Sequence, residues 1–246
     1  MPDPVLSVRN LTAGYNGVQA VRDLNFDVGA GEVVALLGPN GAGKTTALLS
    51  IVGLVPLMSG EVLALGEKVE VKRTHRLARR GVMLVPDDRG VFFGLSVREH
   101  FRLAHRRPDR ERQREVLDRF PALRDIQGRR AGLLSGGEQQ MLTIAKAILA
   151  KPKVLMIDEM SLGLAPKIVQ EMLPSIRDLA RDEGIGLVLV EQHIELALSV
   201  ADRGIILNHS RVVLDASAKS LLDRREDVEA AYFGVDEYGA GAVLPS

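Results

Sequence analysis

The stretch Gly38-Pro39-Asn40-Gly41-Ala42-Gly43-Lys44-Thr45 constrains this chain more than any other. It reads G-x-x-x-x-G-K-T. It follows an apolar strand-like run over residues 32–37 and precedes a helix-prone run from Thr46 to Val52. A strand, a glycine-rich turn and a helix start in that order are what a phosphate loop requires. The glycines let the backbone fold tightly enough for successive N–H groups to converge on an anion. The helix N-terminus adds free N–H groups and a partial positive charge. Lys44 supplies a point charge for the β- and γ-phosphates. The Thr45 hydroxyl is placed for Mg²⁺, and Thr46 belongs to the same binding segment.

A second chemical feature lies after Val154-Leu155-Met156-Ile157, an apolar run typical of a central parallel strand. Asp158 and Glu159 follow it directly. In a doubly wound sheet, ligands bind beyond the C-terminal strand ends, so this pair can meet the phosphate loop. Asp158 would then face Mg²⁺, and Glu159 would hold and polarise an attacking water. A third feature, Leu134-Ser135-Gly136-Gly137-Glu138-Gln139-Gln140, opens a helix with Ser135 placed to cap it. From the residues alone, an ordinary capped helix explains this stretch as well as an anion site does.

Composition narrows the class. The chain has 246 residues, 46% hydrophobic and 26% charged, with no cysteine. Disulfides and thiolate chemistry are therefore excluded. Formal net charge is zero, which gives no overall pull toward nucleic acid. The first ten residues lack an apolar signal core, and no apolar run approaches bilayer length. The expectation is a soluble chain that reaches a membrane only by docking on another protein.

The remaining pattern is α/β. A β-rich opening alternates at residues 5–8 and 18–28, with a turn expected over Asn10 to Gly17. Residues 88–134 are rich in Arg and read as a helical insertion, begun by a Ser96-x-x-Glu99 capping box. Helix and strand patterns then alternate to about Phe233, with Pro174 expected to kink one helix. A hairpin is expected around Asn208 to Ser210, and a disordered tail over 239–246. His75, His100, His105 and His209 lack metal-ligand spacing and read as surface residues.

The order of phosphate loop, Leu-Ser-Gly-Gly stretch, apolar strand ending Asp-Glu, and His193 after the next strand resembles the nucleotide-binding subunits of ATP-binding-cassette (ABC) transporters. The resemblance covers nearly the whole chain. Residues 161–166 (Ser-Leu-Gly-Leu-Ala-Pro), 190–193 (Val-Glu-Gln-His) and 231–234 (Ala-Tyr-Phe-Gly) are similar to the ATPases of branched-chain amino acid importers. The resemblance implies one ABC-type domain with a parallel-sheet core, an N-terminal antiparallel part and the helical insertion. It implies ATP and Mg²⁺ as cofactors. Tyr15 would stack on adenine, and His193 would sense the γ-phosphate beside the catalytic Glu159. Ser135, Gly136 and Gly137 would contact ATP held by the opposite subunit, with Ser161 to Ala165 at the dimer seam.

The implied partners are a second ATPase subunit, identical or a sister, membrane permease subunits and, indirectly, a solute-binding protein. The implied place is the cytoplasmic face of the cell membrane. Two positions depart from the family pattern. Asp87 stands where Gln is usual and could still approach Mg²⁺. Met160 replaces the usual Pro after the catalytic Glu, which implies a less rigid loop. Alternatives are a soluble ABC ATPase of the iron–sulfur assembly type, an importer ATPase for another small polar solute such as an amide or urea, and a nucleotide-binding regulator without catalysis. Intact Lys44, Asp158, Glu159 and His193 argue against the last.

Overall fold

A computed structural model describes residues 3–104, 109–161 and 164–233. Two sheets carry the fold. The first is antiparallel, in the order β2-β1-β4-β5, formed by β1 (Leu6–Tyr15), β2 (Val18–Val28), β4 (Leu57–Ala64) and β5 (Glu67–Lys68). The second has six strands in the order β10-β9-β3-β8-β7-β6. These are β3 (Val33–Leu37), β6 (Val82–Val85), β7 (Val154–Asp158), β8 (Gly186–Glu191), β9 (Arg203–Asn208) and β10 (Arg211–Ser217). All pairings in it are parallel except β9–β10, the hairpin expected at Asn208 to Ser210.

The continuous apolar runs in β3, β7 and β8 have a simple cause. Both sheet faces are covered, so odd and even residues both need apolar side chains. Val33, Ala35, Leu37, Leu155, Ile157, Leu187 and Leu189 face a cluster with the helices α5 (Gly136–Leu149) and α6 (Pro166–Glu183). Val34, Leu36, Met156, Val188 and Val190 face the antiparallel sheet and α1 (Lys44–Ile51).

The turn expected over Asn10 to Gly17 is corrected to a long strand with bulges. β1 pairs on both sides, and its register slips between Val8 and Leu11 and again up to Gly14. Asn10 takes a positive φ of 47° inside the strand, so the turn residues serve bulges. The reversal itself is the two-residue loop Asn16-Gly17, with φ of 51° and 81°, a type I′ pattern matched to strand twist. It presents Tyr15 at the strand end, half exposed.

The insertion is helical as expected, with α3 (Val97–Leu103) and α4 (Arg110–Arg119), and the capping box at Ser96 and Glu99 is formed. α4 is fastened to the rest by buried Arg112, which donates to the Ile148 carbonyl at 3.0 Å and to Glu183 of α6 at 2.7 Å. Helix α6 continues through Pro174. Leu173 and Ile176 are buried on either side, so core packing holds the helix where a backbone bond is lost. His105, Pro108, Leu162, Gly163 and the expected tail at 239–246 lie outside the described residues.

His100 is corrected from a surface residue to a fully buried one. Its Nε2 accepts from the Phe92 N–H at 2.9 Å, and its Nδ1 lies 2.9 Å from the Ser96 carbonyl. One ring nitrogen accepts and the other donates, so the neutral tautomer fits and the imidazolium does not. Burial pushes its pKa below the ordinary histidine value. Folding therefore favours neutral His100. Its contribution is complete above about pH 6.5 and is lost as pH falls from there through the lowered folded value. His100→Ala should cost about 1–3 kcal/mol of stability at pH 7.5 and flatten the acid side of the stability profile. Thermal unfolding between pH 5 and 8 checks both.

Candidate functional site: a phosphate cradle at the strand ends

Three strands deliver the candidate site. Leu37 pairs with Glu191, and Asp158 pairs with Val190, so β3, β8 and β7 end side by side. The chain leaving β3 is the phosphate loop, which closes onto α1. Gly43 has a φ of 103°, and a Cβ there would lie 2.1 Å from the Ala20 carbonyl oxygen of β2. Only glycine permits that approach. The contact also seats the β1–β2 hairpin, which carries Tyr15, on the loop.

Lys44 is buried at 4% exposure. Its ammonium donates to the carbonyls of Gly38 at 2.8 Å and Pro39 at 3.1 Å, and stands 3.9 Å from the Glu159 carboxylate. Burial pushes its pKa down, against the attraction of Glu159, Asp158 and Glu191. The lysine thus lies folded under the loop, with its charge at the cradle floor.

Asp158 ends β7, fully within the buried register. Burial pushes its pKa up to about 6; the Thr45 hydroxyl opposes this, Asp87 and Glu159 add to it, and Lys44 opposes it. Its Oδ1 is buried without a hydrogen-bond partner. A carboxylate oxygen held dry and unsatisfied beside a threonine hydroxyl fits a hard cation. Among the described residues, no three His, Cys, Asp or Glu side chains gather to hold a metal by themselves. A Mg²⁺ ion here would share its shell with Thr45, Asp158, phosphate oxygens and water.

Asp87 follows β6, whose Val85 pairs with Ile157. It therefore arrives beside Asp158, and its charge is felt there. The loop that carries it is tied to α5: Arg89 donates to Gln139 Oε1 at 3.0 Å, Lys146 to the Gly90 carbonyl at 2.9 Å, and the Thr143 hydroxyl to the Arg89 carbonyl.

Ser135 is the N-cap of α5, in a capping box with Glu138. Gly136 and Gly137 then carry the first helical N–H groups, which have no intrahelical acceptor. Ser135 is exposed on the surface. His193 is the exposed N-cap of α7 (Ile194–Leu198), just past the end of β8. The structure thus gathers Lys44, Thr45, Asp158, Glu159 and Asp87 around one cradle, with His193 two residues beyond Glu191. Ser135 to Gly137 open a separate helix, exposed at Ser135 and buried by Gly137.

Met160 is fully buried, so a packed thioether fills the position after Glu159 where the family has proline. Two residues near the site escaped sequence reasoning. Glu191 is a fully buried carboxylate bonded to Ser161; a lone charge ending an apolar strand was the available signal. Tyr232, in α9 (Arg225–Phe233), reaches the Gln192 carbonyl with its hydroxyl at 3.5 Å. Burial and the Glu159 charge raise its pKa.

A family model described as ABC transporter matches residues 21–161, from β2 through the phosphate loop to the turn after Glu159. The chain belongs to the ABC transporter ATPase family. This ATPase is 38% identical over 234 residues to the high-affinity branched-chain amino acid transport ATP-binding protein BraG of Pseudomonas aeruginosa, covering 94% of this chain and all of that one. It is 33% identical over 242 residues to the lipopolysaccharide export ATP-binding protein LptB of Escherichia coli, covering 94% and 98%. A solved ATP-binding subunit of an ABC transporter superposes with a TM-score of 0.81 at 26% identity, over 95% of this chain and all of that one. The ABC-type α/β fold, ATP binding and ATPase activity expected from the sequence follow from this membership. No helix among the described residues is long and apolar enough to cross a membrane.

The Asp158 environment has a consequence for stability. Because its folded pKa lies above the ordinary value, the nucleotide-free ATPase loses stability as pH rises from about 4 through 6. Asp158→Asn should therefore raise the melting temperature at pH 7.5 without nucleotide, by about 2–4 °C for each kcal/mol recovered. It should also erase the further rise that ATP with Mg²⁺ gives the wild type. A melting series with and without both ligands reads the two effects, and an unchanged ligand-induced rise would remove Asp158 from the cation site.

Proposed function

We propose that this ATPase powers a membrane importer, with branched-chain or related amino acids as the transported class. The observation that carries the hydrolytic part is the Glu159 carboxylate 3.9 Å from the buried Lys44 ammonium, at the mouth of the phosphate loop. Lys44 and the loop N–H groups hold the β- and γ-phosphates. Glu159 holds the attacking water in line and polarises it. His193 contacts the γ-phosphate, and Tyr15 stacks on the adenine. Mg²⁺, held through Thr45 and Asp158 with Asp87 alongside, would neutralise phosphate charge.

Two subunits would close head to tail, so that Ser135, Gly136 and Gly137 of one complete the ATP site of the other. The exposed position of Ser135 at the α5 N-cap supports this, because the first N–H groups of a helix have no intrahelical acceptor and can receive an anion from outside. ATP that binds both halves only when closed shifts the equilibrium to the closed pair, and hydrolysis releases it. The loop after Asp87 is bonded to α5 and carries Phe92 and Phe93, 59% and 66% exposed. Adjacent exposed aromatics support docking of an apolar partner element there, which gives the permease a lever on both site halves.

The amino acid class rests on the 38% identity to an ATPase of that name. A lipopolysaccharide-export ATPase at 33% identity supports a second reading, in which the cargo is a lipid and the direction outward. Glu159→Gln should lower turnover roughly 100-fold or more yet leave an ATP-held dimer visible by sedimentation. Lys44→Ala should weaken ATP binding itself, measured by titration calorimetry. Wild-type turnover in the first, or wild-type affinity in the second, would overturn the assigned roles. Isolating the permease that copurifies with this chain, and assaying uptake in vesicles, separates amino acid import from lipid export.

A further inference from the structure

Glu191 ends β8 and is fully buried, yet it is an ionisable group with no part in the mechanism above; burial pushes its pKa up, against the bonds it accepts from Ser161. Its two oxygens are both engaged by one residue. The Ser161 N–H donates to Oε1 at 3.0 Å, and the Ser161 hydroxyl donates to Oε2 at 2.5 Å. The neighbouring residue of β8 acts on the other end of the same turn: the Glu159 N–H donates to the Val190 carbonyl at 3.0 Å. Between these two ties, Met160 is fully buried. The tripeptide Glu159-Met160-Ser161 is therefore held at three successive residues by β8 and the core.

This holding acts against the backbone's own preference. Glu159 has a φ of 46°, in the left-handed region that disfavours non-glycine residues. Such a conformation persists only where the surroundings over-determine it. The Val190 carbonyl would be available to any residue at position 159. The carboxylate at Glu191 is the specific element, because it fixes Ser161 through both its amide and its hydroxyl. When ionised, the carboxylate accepts these bonds more strongly than a neutral carboxyl would, and both bonds oppose the effect of burial on its pKa.

We propose that Glu191 is a positioning residue for hydrolysis: by clamping Ser161 it fixes the turn that aims the Glu159 carboxylate. The proposal rests on the water-holding role of Glu159 given above. Glu191 does not touch the phosphates. Its effect should therefore fall on turnover and spare nucleotide binding.

The test is a double-mutant cycle on the purified full chain, with single-turnover hydrolysis and ATP affinity measured in parallel. Glu191→Ala should lower hydrolysis by about 100-fold, the scale expected when a reacting group is misplaced by an ångström, with ATP affinity changed less than about threefold. Glu191→Gln keeps an acceptor for the Ser161 N–H and should recover most of the rate. In a Glu159→Gln background, adding Glu191→Ala should cost little more, because the group it aims is already gone. An equal loss in both backgrounds, or a parallel loss of affinity and rate, would overturn the positioning role. So would wild-type hydrolysis in Glu191→Ala. If Glu191→Ala does not fold, Glu191→Gln carries the same cycle: its residual loss must again vanish in the Glu159→Gln background. Should Glu159→Gln itself hydrolyse normally, the fault lies with the role of Glu159 and not with the clamp.

Discussion

One buried ammonium faces three carboxylates, and the rest of the site follows from that imbalance. Lys44 lies beneath the phosphate loop, with Asp158, Glu159 and Glu191 all exerting attraction on it. A pocket for a polyanion that already holds more negative than positive charge must be corrected in some way. Part of the correction is protonation, since Asp158 takes up a proton near pH 6. Part is hydrogen bonding, since Glu191 is satisfied by Ser161. The remainder is supplied by backbone N–H groups of the loop and the positive end of α1. Lys44 meanwhile donates to the Gly38 and Pro39 carbonyls, which keeps a dry cation satisfied.

That arrangement is available only because three parallel strands end in register. Each of β3, β8 and β7 is buried on both faces, so polar groups can appear only where the strands stop. The chemistry is concentrated there: the loop after Leu37, the carboxylate of Glu191, and Asp158 followed by Glu159. The antiparallel sheet serves the same edge from the side, by laying Ala20 against Gly43. Sheet, loop and hairpin thus form one rigid cup. The helical insertion reaches the cup through the segment from Asp87 to Gly90, which is bonded to α5.

Much of this was legible in the residues. The phosphate loop, the Asp158–Glu159 pair and the parallel strands carry strong local signals, because each demands particular residue types at fixed spacing. What escaped was what depends on tertiary neighbours. Asn10 and Gly14 read as a turn, but strand pairing on both sides of β1 absorbed them as bulges. His100 looked like a surface residue on a charged helix, but the 92–96 segment folds over it and uses both ring nitrogens. Met160 looked like a loss of stiffness, and its burial in the core depends on neighbours that the sequence alone does not show. The importance of Glu191 depends on Ser161, thirty residues away, and no periodicity shows such a pair.

The end of α9 has a mechanical implication. The Asn208 side-chain amide donates to the Ala231 carbonyl at 2.7 Å, which hooks the helix onto the β9–β10 hairpin. From there Tyr232 touches the carbonyl just before His193. The last described turn of the chain is therefore a short strut between the end of β9 and the segment that follows β8. The C-terminal end of α9 is thus held from two sides, by the end of β9 and by the chain between β8 and α7.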